Sequence, residues 1–475
     1  MRPTFPSSLL SQLSEFVAAQ TGLYFPQERW SDLERGIAAA APDFNFSDRE
    51  SCARWLLSAP LTRHMNEVLA SHLSVGETYF FREKQSLGIF EEHILPMLLQ
   101  SRRQNERRLR IWSAGCSTGE EAYSIAILLD RLIPDLKDWN VTILATDFNP
   151  KFLRKAVQGV YGEWSFRDAP VWLRERYFTK RADGRFEIHP RIRKMVTFSY
   201  LNFAEDIYPS LVNNTSAMDV ILCRNVLMYF TAQRAKQVTS NFYRALVDGG
   251  WLIVSPTEAS TTLLSLFTPV EFPEAVLYRK MADTPSYQLP SENEKADAAN
   301  QDRHEAPAFM ARHCANQGRL SEALEWCEKA IAADKLNPVH HYLNATIMQE
   351  QGLHDNAIQS LIRALYLEPR FVLAHFALGK LHQSQGCYRE AQRYFGNVLL
   401  LLRKHPPDET LPEADGLTAG RLVEIVTSLL ASLPQPATAT HKAKNLNSSH
   451  RDHREHRDEA SSTYFSYSPD GWDCY

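Results

Sequence analysis

The stretch RIWSAGCSTGEEAYSIAILL, Arg110 to Leu129, places a short apolar run, a glycine-bounded turn and a helical pattern in immediate succession. Leu109, Ile111 and Trp112 read as β-type, Gly115 to Gly119 supplies the turn, and Glu120 to Asp130 reads as a helix with Ala122, Ile125, Ala126 and Leu129 on one face. Strand, glycine loop and helix in that order open a nucleotide-binding α/β unit. Two familiar phosphate-binding versions do not fit. There is no G-x-x-x-x-G-K-[ST], so no lysine serves a triphosphate, and the glycines are spaced G-x-x-x-G rather than G-x-G-x-x-G. Glu120 and Glu121 occupy the field of free N–H groups that would otherwise draw a diphosphate. A ligand with hydroxyls and a positive centre suits that field better. For one of the two glutamates, stabilising the first helical turn is as good an account as ligand binding.

The next strand narrows the ligand. VTILATDFNP ends in Asp147 and turns at Asn149-Pro150, which puts a carboxylate at the carboxyl edge of the neighbouring strand. An acid in that position commonly accepts both hydroxyls of a ribose. A glycine turn followed by an acid-terminated second strand, without a phosphate grip, points to S-adenosylmethionine.

Five motifs in order, ETYFFRE, SAGCSTGEEAYS, ATDFNP, ILCRNVLMYF and DGGWLIVSPTE, resemble the CheR family of chemoreceptor glutamate methyltransferases, over roughly residues 21–280. The resemblance implies a Rossmann-like α/β methyltransferase domain at 76–282, behind a helical domain at 1–75. The helical spacing of Leu9, Leu10, Leu13 and Phe16, and then of Met65, Val68, Leu69 and Leu73, agrees with the latter. The family carries a basic, receptor-docking helix in that first domain, whereas QERWSDLERGIAAAAP has acids among its arginines and then turns to alanine. The family also places a small β-subdomain where RYFTKRADGRFEIHPRIRKMVTF, about 176–198, reads as a hairpin turning at Asp183-Gly184. Some members bind a receptor's C-terminal peptide there.

Residue by residue, the resemblance implies that Thr78 and Arg82 contact the methionine end of the donor and that Glu121 and Asp147 hold donor and ribose. Asn202 and Phe203 of YLNF would border the adenine, and Arg224, Asn225 and Tyr229 of CRNVLMY would complete the pocket. Arg82 and Tyr229 are the catalytic candidates, since an arginine forks a carboxylate and a phenol donates one hydrogen bond. Arg35 matches an arginine that reaches over the donor from the N-terminal domain. The implied reaction is transfer of a methyl group to glutamates on the cytoplasmic helices of a methyl-accepting chemoreceptor. It requires no general base, because glutamate is already ionised near neutral pH. The motifs accordingly contain no Ser-His-Asp or Cys-His arrangement. Two other functions stand beside this one: a repeat scaffold with an inactive methyltransferase domain, and a methyltransferase of another substrate class. Intact STGEE, ATD and CRNVLMY weigh against the first. CRNV in place of the Pro-Pro-aromatic loop of amino-methylating enzymes weighs against the second.

Beyond a polar linker at 283–304 the sequence repeats. Gly318, Gly352 and Gly386 are spaced by 34, as are Ala323, Ala357 and Ala391, and Ala311, Ala345 and Gly379. That period, with small residues where helices pair and a glycine between them, predicts three tetratricopeptide repeats over 305–405, an all-α domain that recruits a protein partner. GRLVEIVTSLLASL, within 406–435, reads as a capping helix. The polar linker implies few fixed contacts between the repeats and the methyltransferase, so a chain ending near Asp283 is expected to fold and bind donor.

At 475 residues the chain has room for about three domains. A net charge of −4 gives no reason to expect nucleic acid. The seven cysteines are scattered and lack C-x-x-C pairs, which suits reduced thiols in the cytoplasm, and no metal site is expected. The start, MRPTFPSSLLSQLSEF, has no signal-peptide core and no run approaches a membrane span, so no membrane insertion is expected. The tail at 436–475 is polar, and His450, His453 and His456 read there as solvated. Its end, GWDCY, resembles with Trp472, Asp473 and Tyr475 the peptide by which some chemoreceptors tether CheR, and would suit addition to the hairpin near 176–198.

Overall fold

Strand β1 (Arg108–Ala114) is buried along its whole length, as a strand covered on both faces must be. It pairs in parallel with β2 (Asn140–Asp147) on one side and β7 (Met218–Cys223) on the other. Outside these lie β6 (Val196–Tyr200) on the β2 side, and β8 (Leu246–Val254), β10 (Val276–Arg279) and β9 (Thr268–Glu271) on the β7 side. The order is β6-β2-β1-β7-β8-β10-β9, with β10 antiparallel to both neighbours. Alternate residues of β1 serve different cores: Leu109 and Ile111 pack with Phe80, Phe90 and Ile125, while Trp112 and Ala114 pack with Leu144, Phe203 and Phe242. Because the chain leaves β1 first toward β2 and only later crosses to β7, the carboxyl ends of β1 and β7 flank a topological switch point, where such sheets bind ligands. This structure, a computed structural model, describes residues 5–58, 61–103, 107–205, 208–210, 213–281, 302–414 and 417–433. Most of the linker, the histidine-bearing tail and GWDCY lie outside the described residues.

The segment expected as one hairpin over 176–198 divides. Its first part forms β4 (Phe178–Lys180) and β5 (Phe186–Ile188), joined through Gly184 at φ +80°. They are completed by β3 (Val160–Tyr161) into a separate three-stranded sheet of order β3-β5-β4. Its last residues belong to β6, the edge of the large sheet. Two residues of β3 are too few to announce a strand by alternation.

Four helices, Ser7–Thr21, Trp30–Ala40, Arg49–Leu56 and Arg63–Leu73, enclose an N-terminal core that includes Leu10, Leu13, Val17, Leu33, Ile37 and Leu56. Asp48 and Thr62 cap the third and fourth through Ser51 N and Met65 N. The first ends at Gly22, φ +82°, where a Cβ would come within 2.8 Å of the Phe230 ring. That close approach sets the helical domain against the β7 loop that carries Tyr229.

The expectation of few fixed contacts between repeats and methyltransferase is not met. Two helix pairs, Asp302–Asn316 with Leu320–Ala333 and Pro338–Glu350 with His354–Leu367, bury Ala311, Ala323, Ala345 and Ala357 where they meet. Their turn glycines abut the sheet's amino edge. A Cβ on Gly318 would lie 2.9 Å from the Arg108 guanidinium, and one on Gly352 would lie 3.1 Å from the Asn140 side chain. Glu350, at the carboxyl end of its helix, pairs with Arg110 and lies 3.9 Å from Arg108, and its carbonyl accepts from Asn140 Nδ2 at 2.9 Å. The negative end of that helix thus faces two cations of β1. Arg108 is 1% exposed, and Asp219, fully buried in β7, accepts from Arg110 N at 2.8 Å and pairs with Arg102. A polar linker says how a chain leaves one domain, not where its helices return. A second unit, Val372–Glu409 with the chain from Thr418, holds the pair Val372–Ser384 and Tyr388–Leu402, where Gly379 lets Phe395 approach to 2.5 Å from a Cβ position, and a further helix, Ala419–Ser432.

Removing Glu350 would leave Arg108 and Arg110 buried without that carboxylate, a loss on the order of 3 kcal/mol for a buried pair broken on one side. Glu350→Ala should therefore lower the melting temperature and denaturant midpoint clearly, while Arg35→Ala, at an exposed ion pair, should change neither; equal effects would remove the interdomain pair from the account.

Candidate active site

The glycine loop is held by main-chain bonds to the next strand: Gly115 N and Cys116 N both donate to Thr146 O, at 2.8 and 2.9 Å. Gly115 sits at φ +84°, and a Cβ there would come within 2.4 Å of Val226, so the loop after β7 can close over it only because the residue is glycine. The two glutamates separate. Glu120 turns into the protein, 1% exposed, and accepts from Thr118 Oγ1 at 2.6 Å and Ser165 Oγ at 3.0 Å; burial raises its pKa above the ordinary carboxylate range. Glu121 turns to a cavity, accepting from Ser113 Oγ at 2.6 Å and from Arg224 Nε at 2.6 Å. One glutamate is structural, and the other belongs to the site.

Asp147 closes β2 with its carboxylate between Ser117 N, 2.9 Å from Oδ2, and Asn149 N, 2.8 Å from Oδ1. Burial outweighs these donors and pushes its pKa up to about 6. Arg224 does more tying than reaching. Besides Glu121 it donates to the Arg82 carbonyl at 2.7 Å, and Glu83 lies 3.7 Å away. Arg82 donates from Nη1 to the Glu77 carbonyl at 2.7 Å. Asn202 spans two domains, its Nδ2 donating to Gln20 O at 3.0 Å, and Tyr24 N donates to Tyr229 O at 2.7 Å.

These segments converge on a cavity of about 430 Å³ at the switch point. Its volume is in the range of small-molecule sites. Nine of the residues that the resemblance assigns to the site line it: Thr78 and Arg82; Glu121; Asp147; Asn202 and Phe203; Arg224, Asn225 and Tyr229. Arg35 does not. It is 77% exposed and pairs with Asp32. The arginine that reaches the cavity from the N-terminal domain is Arg29, whose guanidinium lies 5.5 Å over the Tyr229 ring and 5.1 Å over Phe25. Arg29 ends a 3-10 turn over Gln27–Arg29, whereas Arg35 lies in the helix Trp30–Ala40 with its side chain exposed. The sequence reading also missed the aromatic lining by Tyr24, Phe25, Phe148 and Phe152; its one signal was an excess of aromatics just after Gly22 and Asp147.

Among known proteins, the family described as CheR methyltransferase, SAM binding domain, matches residues 76–276, and a tetratricopeptide repeat family matches 374–410. Chemotaxis protein methyltransferase 2 of Vibrio cholerae is 34% identical over 214 residues, which is 45% of this chain and 73% of the relative. The chain belongs to the CheR methyltransferase family. A probable chemotaxis protein methyltransferase of Rhizobium etli is likewise 34% identical, over 44% of this chain and 76% of its own length. The probable biofilm formation methyltransferase WspC of Pseudomonas aeruginosa is 27% identical over 362 residues, 75% of this chain and 82% of its own. As a CheR enzyme the protein is an S-adenosylmethionine-dependent methyltransferase, and the cavity's own chemistry suits that donor. Ser117 Oγ and Asn225 Oδ1 are buried there without a hydrogen-bond partner among the described residues, and Asp147 and Glu121 supply carboxylates for hydroxyls and an ammonium. S-adenosylmethionine brings a methyl group activated on a sulfonium. The chain's residues hold and orient it and exclude water.

Losing charge-assisted hydrogen bonds of about 1.5–3 kcal/mol, Asp147→Ala should weaken donor binding at least about tenfold by calorimetry. The ionised carboxylate is the form that accepts hydroxyls. Its raised pKa therefore predicts full affinity above about pH 6 and progressive loss below it, with a limiting slope of about tenfold per pH unit. Asp147→Asn should abolish that slope.

Proposed function

We propose that this methyltransferase methylates glutamate side chains on the cytoplasmic helices of a bacterial methyl-accepting chemoreceptor, and that its repeats recruit a protein partner. The observation that carries the reading is Arg82. It lines the cavity beside Tyr229 and, unlike Arg224, carries no ion pair among the described residues. An acceptor carboxylate needs a cation that is not already neutralised, and Arg82 has guanidinium N–H groups left to fork it. Arg29 lies over the Tyr229 ring and is paired with Asp32 at 3.4 Å.

In this reading Thr78 and Arg82 meet the methionine end, Glu121 and Asp147 the amine and ribose, and Asn202 and Phe203 the adenine. Arg224 and Asn225 shape the wall between them. Tyr229 presents its phenol where the methyl moves, fixing the acceptor oxygen in line with the sulfonium. The acceptor arrives ionised, so no residue need remove a proton. The names of the Vibrio and Rhizobium relatives favour a chemotaxis receptor. The WspC match, which covers 75% of this chain, favours a pathway of surface attachment over one of motility. The membrane enters only through the receptor, since no helix among the described residues is long and apolar enough to cross one.

Incubation of receptor-containing membranes with the enzyme and methyl-labelled donor should give label on receptor glutamates that base releases as methanol; base-stable label, or none, would sink the reading. Tyr229→Phe should lower kcat on the order of tenfold, equivalent to about 1.4 kcal/mol, while changing the donor Kd much less.

A further inference from the structure

The loop after β7, from Arg224 to Phe230, carries six cavity residues and has little regular structure of its own. Asn225 is left-handed at φ +59°, an uncommon conformation for a residue with a side chain, and only the single 3-10 turn Leu227–Tyr229 follows. Such a segment keeps one shape only if something outside it determines that shape. The outside group is Glu258, in the turn just after β8. Its side chain is buried, and its carboxylate accepts from Asn225 N at 2.7 Å and Ser255 Oγ at 2.9 Å through Oε2, and from Met228 N at 3.2 Å through Oε1. Ser255 N adds a weaker bond at 3.3 Å, and Glu258 N closes the turn on Ser255 O at 3.0 Å. Two of those donors are the N–H groups at either end of the turn into Tyr229. Glu258 does not line the cavity, although its neighbour Thr257 does.

We propose that Glu258 is a positioning residue for methyl transfer: its carboxylate holds the Asn225–Met228 backbone in the one conformation that presents the Tyr229 phenol to the cavity. An anion is suited to this, because each carboxylate oxygen accepts along broad directions and one group can satisfy donors on both sides. A glutamine at the same place has the same size but one accepting oxygen. Its NH₂ would face an N–H donor and drive one end of the turn away. Neither end of the turn can compensate: Val226 is packed on Gly115, and the Tyr229 carbonyl is taken by Tyr24 N. The shift therefore falls on the Tyr229 side chain, and a displacement of about 1 Å at a reacting group costs up to about a hundredfold in rate. Asp147, at the end of β2, and Glu121, on the helix after the glycine loop, lie on other elements, and a donor grip there would be left nearly intact.

The inference rests on Tyr229 acting in the transfer step, and a double-mutant cycle separates the two. In full-length enzyme well below its melting temperature, Glu258→Gln should lower kcat by about tenfold and move the donor Kd by less than about threefold. In the Tyr229→Phe background the same substitution should cost less than about twofold, because the group it positions is already gone. Equal costs in both backgrounds would overturn the positioning role while leaving Tyr229 catalytic. A Tyr229→Phe enzyme with unchanged kcat would overturn both. A lowered melting temperature with unchanged kcat would make Glu258 a stabilising residue only. Should Glu258→Gln fold poorly, Thr257-preserving Glu258→Asp, which shortens the reach by one methylene, should show the same coupling to Tyr229.

Discussion

The Arg224 guanidinium, with only 3% of its side chain exposed, joins three segments that are distant in sequence. It binds Glu121 from the helix after the glycine loop, the Arg82 carbonyl from TYFFRE, and itself stands at the end of β7. A guanidinium cannot discard its proton, so its burial is tolerable only with acceptors fixed around it. Each acceptor must then be in place for the others to be stable. That requirement is what turns three motifs into one wall, and it explains why Glu121, which a helix dipole alone would favour only modestly, is held in a single orientation.

The parallel sheet separates two tasks onto its two edges. At the carboxyl edge the chain breaks into loops that line the cavity. Gly115, Asp147 and the Asn225–Tyr229 loop all sit there. At the amino edge, Arg108, Arg110 and Asp219 form a buried charged cluster, flanked by Arg102, which the first helix pairs of the repeats join through Glu350. The same strand, β1, begins in that cluster and ends in the glycine loop. The first repeats thus bring a carboxylate and a helix carboxyl end to the cations at the amino edge of the sheet.

Much of this was legible from the chain alone. The strand, glycine loop and helix at Arg110–Leu129 follow from periods and turn chemistry, which are local properties. The 34-residue spacing of Gly318, Gly352 and Gly386 follows from the geometry of one repeated hairpin. Asp147 was legible because an acid at the end of a second strand has few structural reasons to be there. The family resemblance supplied Thr78, Asn202 and Tyr229, which no local pattern distinguishes from packing residues.

What the sequence by itself determined is therefore the set of elements, the class of ligand and the residues of the cavity's floor. Tertiary structure alone decided which of Glu120 and Glu121 faces the cavity, that Arg29 and not Arg35 reaches it, and that Arg108 and Arg110 are buried against Glu350. The reason is the same in each case. Neighbouring glutamates on a helix differ by about 100° of rotation, which a sequence does not orient until the helix is packed. An arginine's reach depends on where its helix begins, and a buried charge depends on a partner here more than two hundred residues away. Local rules carry periodicity and turns, whereas the pairing of charges across domains is fixed only when the domains meet.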